Sequence, residues 1–215
     1  MNKILLVFDM DGTLLDSRYD LCTGINLMRR HYKLPPLPHT VVAGYVGDGV
    51  RKLVQRSLQG APVDLDEALA INIRFYLEHM FDRTAPYPGV VAGINRLAQA
   101  GADMAVISNK LHEPTLALLE HFNLAPLFSM ALGGGQVKPK PHPEGLHRVM
   151  QALDYGPDTT WMIGDSANDL GTARAAGAHG VYLTYGYTPA APEIPELTFD
   201  DFPALTEYFL THHLN

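Results

Sequence analysis

At 215 residues, with 47% hydrophobic and 18% charged side chains, the chain is long enough for one substantial core or for a core with a small inserted domain. Its balance is that of a folded soluble protein, and no apolar run nears the ~20 residues that cross a bilayer, so no membrane partner is expected. The formal net charge of −7, with no block of about five or six consecutive Lys or Arg, sets nucleic acid aside as a partner.

In chain order, the first element is the apolar run that ends in "DMDGT", read as a buried strand. It is shorter than the ~7–15 residues of a signal-peptide core and lacks a small-residue cleavage pattern. Cys22 is the sole cysteine, which rules out an intramolecular disulfide and a multi-cysteine metal cluster. The expected compartment is the reducing cytoplasm.

Residues 17–85 lose strand-like runs and take up helical spacing, as in Val50, Leu53, Val54, Leu58 and in Leu69, Ile73, Tyr76, Met80. They read as a helical insertion, with "LPPLP" a loop between two of its helices and "TAPYPGV" the return. Next, "GVVAGINRLAQAG" is a helix closed by Gly101, "MAVIS" a strand reaching Ser108, and "EPTLALLEHFN" a helix with Pro114 in its first turn. "WMIG" is a strand before Asp165, "ANDLGTARAAG" a helix closed by Gly177, and "GVYLTYG" a further strand. His212 and His213 read as an exposed tail, with no third ligand at a recognisable spacing. Strand and helix in repetition, with near-continuous Val/Ile/Leu strands, predict an α/β fold built on an open parallel sheet. Residues 1–16 and 86–215 form the expected core, and 17–85 the inserted domain.

Ligands of open α/β sheets bind outside the carboxyl ends of the strands. Asp9, Ser108 and Asp165 all fall just past such ends. "DMDGT" admits two readings. Asp-Gly between apolar residues is a strong hairpin signal and accounts for Gly12. It does not account for Asp9, whose carboxylate at the mouth of a buried strand needs a cation or donors to match it. "GDSAND", residues 164–169, sets a second acidic pair after a second strand. Capping of the following helix accounts for one or two of Asp165, Ser166 and Asp169, not for both clusters together. Carboxylates converging on one sheet edge are oxygen ligands suited to Mg²⁺.

Lys140 lies in "KPKPHPEG", where prolines lower the entropic cost of holding a cation in place, while Lys138 reads as a surface lysine. Ser108 and Asn109 offer a hydroxyl and backbone N–H groups to a phosphate. A carboxylate nucleophile, a neighbouring carboxyl, a divalent cation and donors for equatorial oxygens are what phosphoryl transfer requires.

"DMDGT", Ser108, Lys140 and "GDSAND", in this order, resemble the four motifs of the haloacid-dehalogenase-like hydrolase superfamily across almost the whole chain. The resemblance implies a Rossmann-like core with a helical cap inserted after the first strand. It implies that Asp9 forms an aspartyl phosphate, and that Asp11 protonates the leaving oxygen and then activates water. Mg²⁺ would be held by Asp9, the Asp11 carbonyl and Asp165, with Asp169 in support; Ser108, Asn109 and Lys140 would bind the phosphoryl group. Dehalogenases and phosphonate hydrolases of the superfamily typically lack the second acid of the first motif, so Asp11 favours a phosphate ester. Its mutases typically carry a histidine about where Leu21 falls here.

Two stretches, "GDGVRKLVQRSL" (47–58) and "AAGAHGVYLTYGY" (175–187), resemble segments of phosphoglycolate phosphatases. In the first, Gly47 and Gly49 would open a helix whose N-terminus receives the substrate carboxylate, with Arg51 nearby. The alternative is that the glycines serve a turn and that Arg51, Lys52 and Arg56 form a solvated face. Tyr185 and Tyr187 read as packing. The expectation is an Mg²⁺-dependent phosphatase of a small phosphorylated substrate, 2-phosphoglycolate foremost. Nucleoside monophosphates, other sugar phosphates or pyrophosphate are the rival substrates, and a non-catalytic phospho-ligand-binding regulator is the rival class. Monomer and homodimer are equally compatible with the sequence.

Overall fold

The computed structural model describes residues 4–187 and 193–214. β1 (Leu5–Phe8) leads through a tight loop to the two-residue β2 (Leu15–Asp16) and then to four helices: α1 (Arg18–His31), α2 (His39–Ala43), α3 (Val50–Leu58) and α4 (Leu65–His79). The chain returns through β3 (Ala85–Pro86) into α5 (Val90–Gln99), β4 (Asp103–Leu111), α6 (His112–His121), β5 (Met130–Gly134), α7 (Glu144–Leu153) and β6 (Thr160–Gly164). It closes with α8 (Ala167–Ala176), β7 (His179–Leu183), β8 (Leu197–Phe199) and α9 (Phe202–His212). Among the described residues no helix is long and apolar enough to cross a membrane.

Six strands form one parallel sheet in the order β5-β4-β1-β6-β7-β8, the expected α/β class. β1 sits between β4 and β6, with Phe8 in register with Val106 on one side and Ile163 on the other. All four of its side chains are buried because each face of the sheet is covered. Leu6 and Phe8 meet α5, α6 and α9 through Ile94, Leu118 and Phe202, whereas Leu5 and Val7 meet α7 and α8 through Leu146, Val149 and Ala173. Double coverage is why these strands read as continuous apolar runs. Asp9 and Asp165 directly follow the ends of β1 and β6, and Ser108, inside the longer β4, lies two places past the partner of Phe8, which brings all three to one edge.

The cap helices bury a separate cluster that includes Ile25, Met28, Val42, Val54 and Tyr76. Buried Arg29 ties the "LPPLP" loop to α3, donating from Nε to the Pro35 carbonyl (2.7 Å) and from Nη1 to the Ser57 carbonyl. Fully buried Asp20 accepts from the N–H groups of Arg83 and Thr84 and from the Thr84 hydroxyl, the last two at 2.7 Å. It thereby clamps the chain's return beside the antiparallel β2–β3 pair. A carboxylate accepting several donors offsets its own burial.

Five elements are not in the sequence reading. The β2–β3 pair is too short for periodicity, and β5, "MALGG", is weakened by glycines. Gly133 is required there, since a Cβ would lie 2.4 Å from the His112 Cα. β8 precedes α9, and α9 replaces the expected tail: His212 ends that helix, stacked on Tyr208 at 4.4 Å, and His213 packs 5.2 Å from Trp161.

Candidate active site

The loop after β1 is shaped by backbone bonds from the N–H groups of Leu14 and Leu15 to the Met10 carbonyl and from Gly12 N–H to Leu15 O. Gly12 has φ +88°, and a Cβ there would sit 2.4 Å from Asp165 Oδ2. A Cβ at Gly186 would sit 2.2 Å from the Asp165 Cβ. Two glycines thus make room for one carboxylate.

Asp165, past the end of β6, accepts from Tyr187 N–H at 2.6 Å and from the Thr13 hydroxyl at 3.3 Å. Burial and the nearby Asp169 and Asp9 push its pKa to about 8. Burial also lifts Asp9 to about 6, although Lys140 Nζ lies 2.8 Å from its Oδ1. The same ammonium donates to Asp169 Oδ1 at 2.5 Å, and Asp169 Oδ2 accepts from Ser166 N–H and Oγ. Burial opposes the Lys140 charge, but Asp169 and Asp9 outweigh it and hold the ammonium above its ordinary value.

Asp9, Asp165 and Asp169, all buried, each offer an oxygen within 4.8 Å of the others. An all-oxygen donor set is hard-cation chemistry. The raised pKa values of Asp9 and Asp165 mark a cluster short of positive charge even with Lys140 present. These residues fit a divalent cation.

Asp11 is engaged differently. It accepts from Lys110 Nζ on both oxygens at 3.0 Å and from the Ser17 hydroxyl at 2.5 Å. Ser17 N–H in turn donates to the Tyr187 hydroxyl at 2.7 Å. Tyr187 therefore touches both Asp165 and the Asp11 network, and Tyr185 donates to the Thr13 carbonyl at 2.7 Å. Both tyrosines do more than pack.

Ser108 lines a partly open cavity of about 60 Å³ between core and cap, together with Asp9, Asp11, Lys110, Gly47 and Gly49. Asn109 lines it too, but its side chain is committed elsewhere: the amide donates to Gly47 O (2.7 Å) and Lys140 O (3.0 Å) and accepts from Lys140 N–H (2.8 Å). It joins cap, β4 end and Lys140 loop and has no free amide for a phosphate. Asn168, next to Asp169, also donates to Gly47 O (3.2 Å) and to Asp48 Oδ1 (2.9 Å).

Arg51 departs from the expectation. It does not line the cavity; it is exposed on α3 and paired with Asp66 at 2.5 Å. α3 starts after Gly49, so a residue one place into its first turn is free to face outward. Arg56 likewise pairs with Asp48 at the surface. The cation at the cavity is Lys110 instead; the sequence reading ends the strand at Ser108, whereas β4 runs on to Leu111. A lysine directly after the polar Ser108–Asn109 pair is the available signal.

A family model described as haloacid dehalogenase-like hydrolase matches residues 6–182. The chain belongs to that family. The four-motif resemblance is thereby borne out, as is the α/β fold with its helical cap. Within the family, the chain is 40% identical over 195 residues to a phosphoglycolate phosphatase of Caulobacter vibrioides, covering 87% of this chain and 82% of that one. It is 35% identical to a phosphoglycolate phosphatase of Psychrobacter arcticus, covering 98% and 97%. A crystal structure from Haemophilus somnus, described as a predicted phosphoglycolate phosphatase, superposes with a TM-score of 0.91 at 29% identity, covering 97% of this chain and 98% of that one.

Proposed function

We propose that the protein is a divalent-cation-dependent phosphatase that hydrolyses 2-phosphoglycolate to glycolate and phosphate. The observation that carries the proposal is the convergence of Asp9, Asp165 and Asp169 within 4.8 Å beside Lys140, in a chain whose relatives from Caulobacter and Psychrobacter are named phosphoglycolate phosphatases. Asp9 attacks phosphorus while the bond to the leaving oxygen breaks, giving an aspartyl phosphate. Asp11 gives its proton to that oxygen and then takes one from the water that attacks the aspartyl phosphate, releasing phosphate and restoring Asp9. Ser108 and Lys140 hold the phosphoryl oxygens, while Asn109 positions Lys140 from its backbone. Asp9, Asp165, Asp169 and the Asp11 carbonyl would hold Mg²⁺, which supplies charge neutralisation at the carboxylates and polarisation of the phosphoryl group. Purified protein is expected to favour 2-phosphoglycolate over nucleotides, sugar phosphates and pyrophosphate, and to lose turnover with chelator. No turnover on any of them, or turnover indifferent to chelator, would remove the proposal.

The acid cluster also sets the stability of the cation-free protein. Asp9 and Asp165 have folded pKa values of about 6 and about 8, above the ordinary 3.8. The folded state therefore binds protons that the unfolded state has lost. This stabilisation is complete below about 3.8 and disappears as pH rises through about 6 and about 8. Chelated protein is expected to lose stability progressively between pH about 4 and pH about 9 from these groups. Mg²⁺ is expected to raise the melting temperature more at the alkaline end, where the ligands are ionised. Thermal denaturation across pH, with Mg²⁺ and with chelator, measures both, and a chelated protein that gains stability as pH rises through this window would contradict the assignment.

A further inference from the structure

The cavity between cap and core holds polar groups that phosphoryl transfer does not use. Lys110 is the one cationic side chain among the described residues that line it. Its ammonium carries three N–H donors, of which Asp11 takes two. The same nitrogen lies 4.6 Å from the centroid of the Tyr76 ring, on α4 of the cap. The Tyr76 hydroxyl is buried, and the Lys110 ammonium is its polar neighbour. One helical turn earlier, Asn72 is 2% exposed and lines the cavity, and its side-chain amide has no partner among the described residues. Buried polar groups without partners are uncommon in folded proteins. A buried amide without a partner and a phenol that meets only the Lys110 ammonium, both on one helix, mark a place where something polar binds.

We infer that Lys110, Asn72 and Tyr76 form the subsite that receives the substrate's carboxylate and so decide which phosphate ester is hydrolysed. The inference rests on the phosphatase proposed above and names how its substrate is chosen. A carboxylate takes up to about four hydrogen bonds, matching one ammonium N–H, the amide NH₂ and a phenol O–H. The distances suit a short substrate. In 2-phosphoglycolate a single methylene separates the ester oxygen from the carboxylate carbon, so the carboxylate must lie close to the oxygen that Asp11 protonates. Lys110, bonded to Asp11, is placed there; Arg51, exposed and paired with Asp66, is not. The remaining wall is apolar, with Leu21, Leu53 and Ile73, and leaves little room for a bulkier leaving group. A site whose polar groups stay unpaired with the wrong ligand rejects it more strongly than an apolar pocket can.

The test is the ratio of kcat/KM for 2-phosphoglycolate to that for ethyl phosphate, which lacks the carboxylate, in the full-length enzyme with Mg²⁺. Asn72→Leu and Tyr76→Phe are each expected to lower the ratio about tenfold, mainly through KM for 2-phosphoglycolate, and Lys110→Met about a hundredfold. Because Lys110→Met leaves Asp11 without its cation and risks misfolding, the two cap variants stand alone as the decisive pair. Tyr76→Phe removes a hydroxyl that meets only the Lys110 ammonium, so it is expected to melt close to the parent while binding less tightly, a combination that a structural role would not produce. Calorimetric titration of 2-phosphoglycolate into Asp9→Asn protein carrying either cap substitution reads the same loss without turnover. A wild type that prefers 2-phosphoglycolate, with variants that keep the preference, would overturn the subsite and leave the phosphatase standing. A wild type without the preference would overturn both.

Discussion

Asp9→Asn is expected to fold and to lose turnover by about four orders of magnitude or more, since the amide oxygen cannot replace the attacking carboxylate and the neighbouring Asp11 is held by Lys110. Only the nucleophile is removed: Lys140 keeps Asp169, and the strand pairing of β1 is untouched. The sign of the stability change follows from the site's electrostatics. Asp9 is buried among Asp169 and Asp11 and has its pKa lifted to about 6. Neutralising it relieves repulsion, so cation-free Asp9→Asn is expected to melt above the wild type at alkaline pH. Turnover of 2-phosphoglycolate and thermal denaturation with chelator check the two halves. Activity within tenfold of wild type would show that another group attacks phosphorus.

The second large effect is expected at Lys140, where Lys140→Met is predicted to lose both stability and catalysis. The ammonium is the shared partner of Asp9 at 2.8 Å and Asp169 at 2.5 Å, and its side chain is 3% exposed. Removing one side of a buried ion cluster strands the other charges, at a cost of about 3–5 kcal/mol. Turnover is expected to fall about a thousandfold with the loss of a cation placed for the transferring phosphoryl group. Mg²⁺ should return part of the stability but not the turnover, a split that urea denaturation with and without chelator reads beside kinetics. Lys140→Arg is not expected to rescue, because a planar, wider guanidinium does not fit where a compact ammonium bridges two carboxylates.

Much of this was legible in the sequence, for a physical reason. Parallel strands covered on both faces must be apolar throughout, so their ends stand out wherever a polar residue appears, and Asp9, Ser108 and Asp165 were found that way. Asp169 and Lys140 were found because helix starts and proline-stiffened loops have compositional marks. What escaped depends on long-range approach. Lys110 meets Asp11 from 99 residues away, Tyr187 meets Ser17 from 170, and the Asn109 amide turns to Gly47 and Lys140. No local periodicity encodes such pairings. Arg51 shows the reverse error: its position near a glycine-opened helix suggested a ligand, but on a helix one residue of offset rotates a side chain by about 100°, and Asp66 holds it at the surface.

The Gly47 carbonyl, shared by the amides of Asn109 and Asn168, has a consequence for how the enzyme works in its medium. Those amides sit next to Ser108 and Asp169, so the cap is gripped by the same two segments that carry the proposed phosphate-binding hydroxyl and one acid of the buried carboxylate cluster. Displacement of either segment during a catalytic cycle is passed directly to the lid's backbone. The grip on that carbonyl is also made of dipoles rather than ions, and mobile salt screens charges over lengths of about 8 Å at physiological strength while leaving contacts near 3 Å largely alone. Closure at this point is thereby insulated from ionic strength, even though the ligand it encloses is a multiply charged anion.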